Sequence, residues 1–154
     1  MITSANKMLK QLKEAKPHIE QVSNQYIVTI TVNGENYWGK AYLHPEDADF
    51  KSELVGCTIA HMRAITQALV TYRDAAQMEY TTMNQMLTDI MQNQDPEEID
   101  PTFKMRKKVY QSKKRWQDYQ TAVRTSQETL KNYLKNQDKA ITSIKKQREQ
   151  KTEF

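Results

Sequence analysis

The chain has few of the residues that break helices or cross-link chains. Its 154 residues include only three glycines, four prolines and one cysteine. The single cysteine, Cys57, excludes an intrachain disulfide, and the scarcity of turn formers favours long helices over a loop-rich fold. No apolar run approaches the roughly 20 residues of a membrane span, and no secretory signal is found. The sequence therefore predicts a soluble, cytoplasmic protein with no membrane partner.

Signatures of catalysis and metal binding are also missing. The sequence contains no phosphate-binding loop, no dinucleotide glycine fingerprint, no HExxH, no GxSxG and no paired-cysteine zinc motif. Its three histidines, His18, His44 and His61, fall on different predicted elements, and the carboxylates are scattered. We therefore expect no enzyme, no catalytic residue, no metal site and no cofactor.

Apolar residues recur every three or four positions over two long stretches. This spacing predicts two helices of about 55–70 Å that pack along a coiled-coil-like seam. A short segment, residues 92–101, joins them, so they must run antiparallel. The seam positions are Val55, Ile59, Met62, Ile65, Leu69, Tyr72, Ala76, Tyr80, Met83, Leu87 and Ile90, followed by Met105, Val109, Trp116, Tyr119, Val123, Leu130, Leu134, Ile141 and Ile144.

A short helix and a hairpin precede these rods. Residues 5–16 form an amphipathic pattern that Pro17 ends or kinks, and Ile19 and Val22 are interpreted as a second helical turn. Asn33-Gly34 is the preferred two-residue turn of a β-hairpin, since both positions need positive φ. The strands at residues 26–32 and 35–43 then pair so that Tyr26, Val28, Ile30, Val32, Tyr37, Gly39 and Ala41 share one mostly apolar face.

The predicted fold is therefore α+β and mostly α. A short N-terminal helix and a β-hairpin are followed by a long antiparallel helical hairpin, all in one domain. A turn at residues 44–47 and caps at Asp49 or Ser52 and at Asp100 before Pro101 complete the design. The segments are 1–23 (N-terminal helix), 24–50 (β-hairpin and turn), 51–93 (long helix), 102–150 (long basic helix) and 151–154 (tail).

Charge is divided unevenly along the chain. Residues 1–101 contain 8 Lys/Arg against 14 Asp/Glu, whereas residues 102–154 contain 15 against 5. The densest cluster of cations has two interpretations, a solvated face that complements the acidic first half, or a surface that binds phosphate. Its members are Lys104, Arg106, Lys107, Lys108, Lys113, Lys114 and Arg115.

The second face of the hairpin is unusually aromatic for a solvated surface. It places Trp38, Lys40 and Tyr42 together. Aromatic rings beside a cation suit base stacking with phosphate neutralisation. The alternative is that these rings pack on a helix or cross a dimer interface.

The stretch from Gly39 through Pro45, Asp47 and Phe50, with Gly56 and the helix segment through Ala64, resembles a pattern in small phage proteins. In that pattern a strand ends in G-x-A, P-x-D and a Phe follow, and a helix carries G-x-x-x-A-x-x-R-A. It is similar to the Thoeris anti-defence family of the first type, phage sponges that sequester cyclic ADP-ribose signals. The resemblance covers residues 39–64 and implies a small antiparallel sheet, long helices and a ligand bound at a subunit interface. This chain departs from the family in its additional first helix, its long second rod and Leu43 in place of a cysteine.

The resemblance implies a counter-defence protein of the host cytoplasm that binds a small anionic nucleotide without catalysis, as a dimer or higher homo-oligomer. An alternative is a coiled-coil protein that binds or inhibits a host nuclease or defence complex, or binds nucleic acid. A third is a purely structural scaffold. The ligand-binding residues expected for the first hypothesis are Trp38, Lys40, Tyr42, Arg63, Arg106 and Lys107.

Overall fold

The structure is a computed structural model that describes residues 2–42, 53–93 and 102–152. Helix formers without interior proline run through both long periodic stretches, and both are continuous helices. The predicted fold class, mostly α with a small β part, is confirmed. The elements in chain order are α1 (Ala5–Glu14), β1 (His18–Val22), β2 (Gln25–Val32), β3 (Glu35–Tyr42), α2 (Glu53–Gln92) and α3 (Phe103–Thr152).

One element differs from the sequence prediction. The helix ends at Glu14, and residues that we interpreted as a second helical turn, including Ile19 and Val22, form the strand β1. Pro17 supplies the physical reason, because the residue before proline is pushed into extended backbone and the chain leaves the helix there. Ser23 then takes a positive φ of 58° and turns the chain back into β2. The hairpin is therefore part of a three-stranded sheet.

The hairpin between β2 and β3 has the register that Asn33-Gly34 predicts. These two residues have φ of 53° and 79°, and Ile30 lies opposite Tyr37 while Val28 lies opposite Gly39. Side chains alternate across the sheet, so one face collects the apolar positions. That face is buried at Tyr26, Val28, Ile30, Val32, Tyr37 and Ala41.

The chain divides into two compact units, Met1–Lys10 with Leu69–Val123, and Gln11–Ala68 with Arg124–Phe154. The first unit contains stacked ring pairs along the predicted seam. Tyr72 and Tyr119 have ring centroids 6.0 Å apart, and Tyr80 and Trp116 have centroids 5.6 Å apart. A later residue of α2 contacts an earlier residue of α3, so the two helices run antiparallel here, as expected.

The core of the first unit is thin toward the end of α2. Among the described residues after Ala76, through residue 93, every side chain of α2 is at least partly exposed. Two helices alone bury one stripe each, which is the physical reason that seam residues such as Leu87 stay half-exposed. The N-terminal segment adds to this core, where the Tyr119 hydroxyl donates to the Thr3 carbonyl at 2.5 Å.

The second unit contains the sheet. Gly56 lies against the Tyr26 ring: a Cβ at this glycine would stand 2.5 Å from the ring carbon Cδ2. A side chain at this position would therefore obstruct the close approach of α2 to the sheet. In the same unit the Thr66 and Ser126 hydroxyls lie 2.6 Å apart, which places small polar groups between α2 and α3.

Some expected features lie outside the described residues. They are the turn at 44–47, the caps at Asp49, Ser52 and Asp100, Pro101 at the start of the second rod, and the part of the resemblance pattern that contains Pro45, Asp47 and Phe50.

Candidate functional site

The sheet has one face whose side chains are exposed or half-buried, which we call the open face. Its rows follow from the pairing of the three strands: His18 with Thr29 and Trp38, Glu20 with Ile27 and Lys40, and Val22 with Gln25 and Tyr42. Because side chains alternate, all nine project from the same side, opposite the buried apolar face.

Large side chains on this face stand in solvent. Trp38 is 48% exposed and Tyr42 is 62% exposed. The Lys40 ammonium lies 4.9 Å from the centroid of the Trp38 ring, a cation–π geometry. The sequence prediction that Trp38, Lys40 and Tyr42 share one face of the hairpin is therefore confirmed, and the structure shows that this face is exposed. Their role as ligand contacts stays a prediction.

The edge of β3 is held by α2 rather than by another strand. The Trp38 backbone N–H donates to Gln67 Oε1 at 2.8 Å, and Arg63 Nη1 donates to the Lys40 carbonyl at 2.7 Å. Arg63 and Gln67 are one helical turn apart and thus lie on the same side of α2. Arg63, predicted as a ligand contact, thus also positions the strand that presents Trp38 and Lys40.

The two remaining predicted site residues belong to the first unit, whereas the sheet belongs to the second. Arg106 is exposed, and its Nε donates to the Thr102 hydroxyl at 2.9 Å in the first turn of α3. Lys107 is also exposed. The structure brings Trp38, Lys40, Tyr42 and Arg63 into one unit and gives no such grouping for Arg106 and Lys107.

Another polar cluster in the first unit has a packing role. Arg115 Nη2 pairs with Glu79 Oε1 at 2.8 Å, and their side chains are only 15% and 13% exposed. Within the described residues, Glu79 Oε2, Arg115 Nε and Trp116 Nε1 are buried without a hydrogen-bond partner. Trp116 stacks on Tyr80, so its expected packing role on the seam is confirmed. Arg115 is thus a cation of the basic segment that pairs with a carboxylate of the acidic first half.

The open face includes three residues that the sequence reasoning missed. His18, Glu20 and Val22 were assigned to a helix, although strand β1 presents them beside β2. His18 Nε2 and Glu20 Oε1 are 3.2 Å apart on the solvent side. The signal that could have found them is the polar pair at residues 23–24, which separates two short runs in the manner of a hairpin turn.

Two half-buried ionisable groups lie on the part of α2 that belongs to the second unit. Burial lowers the pKa of His61 below 6.5, and its Nε2 is buried without a partner among the described residues. Burial, with a smaller contribution from the Glu53 carboxylate, raises the pKa of the Cys57 thiol. A raised pKa leaves the thiol protonated and unreactive at neutral pH, which fits a structural role.

Neither a metal cluster nor a membrane span is found in the described part of the chain. Groups of three or more His, Cys, Asp or Glu that could hold an ion are absent from it. Each of its helices is also too short or too polar to cross a bilayer.

Comparisons with known proteins do not assign the chain to a family. No protein-family model matches it, and neither a curated protein nor a solved structure does.

Proposed function

We propose that the chain is a binding protein that captures a small anionic nucleotide on the open face and does not turn it over. The observation that carries this proposal is the exposed Trp38 ring with the Lys40 ammonium 4.9 Å from its centroid. A nucleobase can stack on such a ring while the ammonium neutralises a phosphate. The resemblance narrows the proposed ligand to the cyclic ADP-ribose class and the role to counter-defence by a phage protein.

The energetic case rests on stacking. Stacking of a base on an aromatic side chain contributes about 1–3 kcal/mol, which is roughly 5- to 150-fold in affinity. A second ring, Tyr42, lies on the same face two residues beyond Lys40 and is 62% exposed. Further phosphate contacts are proposed to come from Arg106 and Lys107 of a second copy, because both cations are exposed.

Ligand binding is tested by titrating cyclic ADP-ribose into the purified chain by calorimetry. Trp38→Ala should weaken binding by about 5- to 150-fold, and Lys40→Gln should weaken it while lowering its salt dependence. Tyr110→Ala is the matched control, since Tyr110 is an aromatic residue that is 69% exposed on α3 and belongs to the unit that does not contain the sheet. Unchanged affinity in Trp38→Ala, or a loss of equal size in Tyr110→Ala, contradicts the proposal.

Arg63→Ala is a poor test of ligand contact, because Arg63 also bonds the Lys40 carbonyl. Fluorescence offers a sharper readout. The chain has two tryptophans, so the Trp116→Phe variant reports on Trp38 alone. Stacked ligand should quench that emission. The ligand should also be recovered intact after denaturation, and recovery of a hydrolysed product would show that the chain is an enzyme.

A second candidate, binding to nucleic acid through the basic segment, rests on a separate observation. Lys104, Arg106, Lys107, Lys108, Lys113 and Lys114 are all exposed on the first part of α3. Exposed cations along one helix neutralise phosphates and release counterions, so affinity falls steeply as salt rises. Retention on DNA or RNA that is lost with salt and weakened by Lys107→Gln with Lys108→Gln would support this function. No retention at about 50 mM salt would exclude it.

A further inference from the structure

The two edges of the sheet differ in their surroundings, because one is bonded by α2 and the other is exposed. The strand order is β1-β2-β3, so β1 and β3 are the edges. Gln67 and Arg63 of α2 bond the backbone of β3. All five residues of β1 are exposed, including Ile19 at 48% and Val22 at 57%. An uncovered edge with apolar side chains, and with neither proline nor lysine inside the strand, is a template for pairing with another strand.

The hydrogen bonds of β3 determine the direction of the backbone N–H and carbonyl groups across the sheet. The Trp38 N–H and the Lys40 carbonyl bond α2, so they point away from β2. Their partners in β2 are Thr29 and Ile27. In an antiparallel pair these are the positions that exchange no hydrogen bonds, so the backbone groups of Thr29 and Ile27 point the other way, toward β1.

The same alternation then applies to β1. His18 and Glu20 are the β1 partners of those two β2 residues, so their backbone groups bond β2. Ile19 and Gln21 alternate with them and present their N–H and carbonyl groups outward, to solvent. The free edge of the sheet is therefore made by the backbone of Ile19 and Gln21.

We infer that β1 pairs antiparallel with β1 of a second copy, about a two-fold axis at Ile19. In this register Ile19 of one copy lies opposite Ile19 of the other, and each Gln21 N–H donates to the Pro17 carbonyl of the other copy. Because proline has no N–H, no donor is left unpaired at Pro17. His18 of each copy lies opposite Glu20 of the other, so the dimer contains this pair twice. The imidazole and carboxylate are complementary, and they already approach to 3.2 Å within one chain.

Neighbouring registers are less favourable. A two-fold axis at Glu20 places two carboxylates directly opposite each other, which is destabilising. An axis at Gln21 places Ile19 opposite Ser23, whose positive φ of 58° ends the strand. Of these three registers, the Ile19-centred pair is therefore the one in which apolar and charged partners both match. It joins two three-stranded sheets into one of six strands, and the two open faces become continuous.

The first test is sedimentation equilibrium of the full chain without any ligand, so its outcome is independent of the proposed nucleotide binding. The wild-type chain should form a dimer. Gln21→Pro removes an outward N–H that β2 does not use and should weaken dimerisation at least tenfold. Circular dichroism and a thermal melt check that the variant keeps its fold. A wild-type chain that stays monomeric, or a folded Gln21→Pro variant that dimerises equally well, overturns the inference.

The second test reads the register by cross-linking in a Cys57→Ser background. Ile19→Cys places two thiols opposite each other at an α-carbon separation of about 5.5 Å, which a disulfide can span. Mild oxidation should give a covalent dimer. Gln21→Cys is the matched control, because its thiol lies opposite Pro17 and should remain free. Cross-linking of Gln21→Cys as readily as Ile19→Cys, or none in Ile19→Cys, overturns the two-fold axis at Ile19.

Discussion

Replacing Gly39 by alanine should be far more damaging than its one added methyl group suggests. Gly39 lies in β3 where that strand crosses α2. A Cβ at this position would stand 2.5 Å from the Ala64 backbone nitrogen and 2.7 Å from Arg63 Cβ, and closer still to the Ala60 carbonyl oxygen. Backbone atoms of a helix cannot rotate away as a flexible side chain can, so the strand and the helix must separate.

The magnitude follows from those distances. Favourable contacts between such atoms need about 3.5–4.0 Å, so the strand and helix must separate by about 1 Å. Overpacking of this kind costs about 1–3 kcal/mol. The same movement stretches the bonds from Arg63 to the Lys40 carbonyl and from Trp38 N–H to Gln67, each of which contributes about 1 kcal/mol. We expect Gly39→Ala to lower the free energy of unfolding by about 2–5 kcal/mol.

The measurement is urea unfolding followed by circular dichroism, with Gly34→Ala as the matched control. Gly34 has open space around its Cβ position but a φ of 79°, so that substitution should cost only about 1 kcal/mol through backbone strain. A Gly39→Ala variant that loses no more stability than Gly34→Ala would refute the close approach of β3 and α2. Because the movement displaces Trp38 and Lys40, Gly39→Ala should also weaken ligand binding if the proposed function is correct.

Three further predictions concern polar groups inside the units. Arg115→Ala should lower the free energy of unfolding in urea by about 3–5 kcal/mol, because it leaves the Glu79 carboxylate without its partner. Replacing both residues by leucine should restore most of that stability. Equal losses in the two variants would show that the pair is not buried. Tyr119→Phe should cost about 1 kcal/mol by removing the bond to Thr3. Burial raises the pKa of Tyr119, so its contribution is complete below pH of about 10 and falls above it; the phenylalanine variant should lose less stability at alkaline pH. Burial lowers the pKa of His61, so stability should fall as pH drops below about 6.5, and His61→Gln should flatten that loss.

The helical hairpin was predictable because its signal is long and redundant. The contacts of Tyr72 with Tyr119 and of Tyr80 with Trp116 join positions that the spacing alone assigned to the seam. The β2–β3 register was equally accessible, since Asn33-Gly34 allows one turn geometry and that turn fixes every pair along the strands. Both inferences depend on local signals, namely an apolar spacing that recurs along two long stretches and a turn whose geometry fixes the strand register.

Strand β1 was not predictable in the same way. Its apolar residues, Ile19 and Val22, are three positions apart, which is helical spacing, and neither is buried. Because every residue of this strand is exposed, its sequence lacks the alternation of apolar and polar residues that predicts a strand. Backbone pairing with β2 holds it in place, together with the positive φ that Ser23 accepts. The role of Arg63 in holding β3 was not predictable for a related reason, because its bond to the Lys40 carbonyl joins residues 23 positions apart in the sequence.

The placement of α2 makes the two proposals separable. This helix contacts the apolar face of the sheet at Gly39 and bonds the edge of β3, whereas the open face and the residues of β1 are exposed. A ligand on the open face meets side chains that project perpendicular to the sheet, such as Trp38. A second copy at β1 meets backbone groups that lie in the plane of the sheet, at Ile19 and Gln21. Since side chains and edge backbone are independent surfaces, Trp38→Ala should weaken ligand binding without changing dimerisation. Gln21→Pro should weaken dimerisation and leave the ligand contacts of Trp38 and Lys40, which lie within one subunit, unchanged.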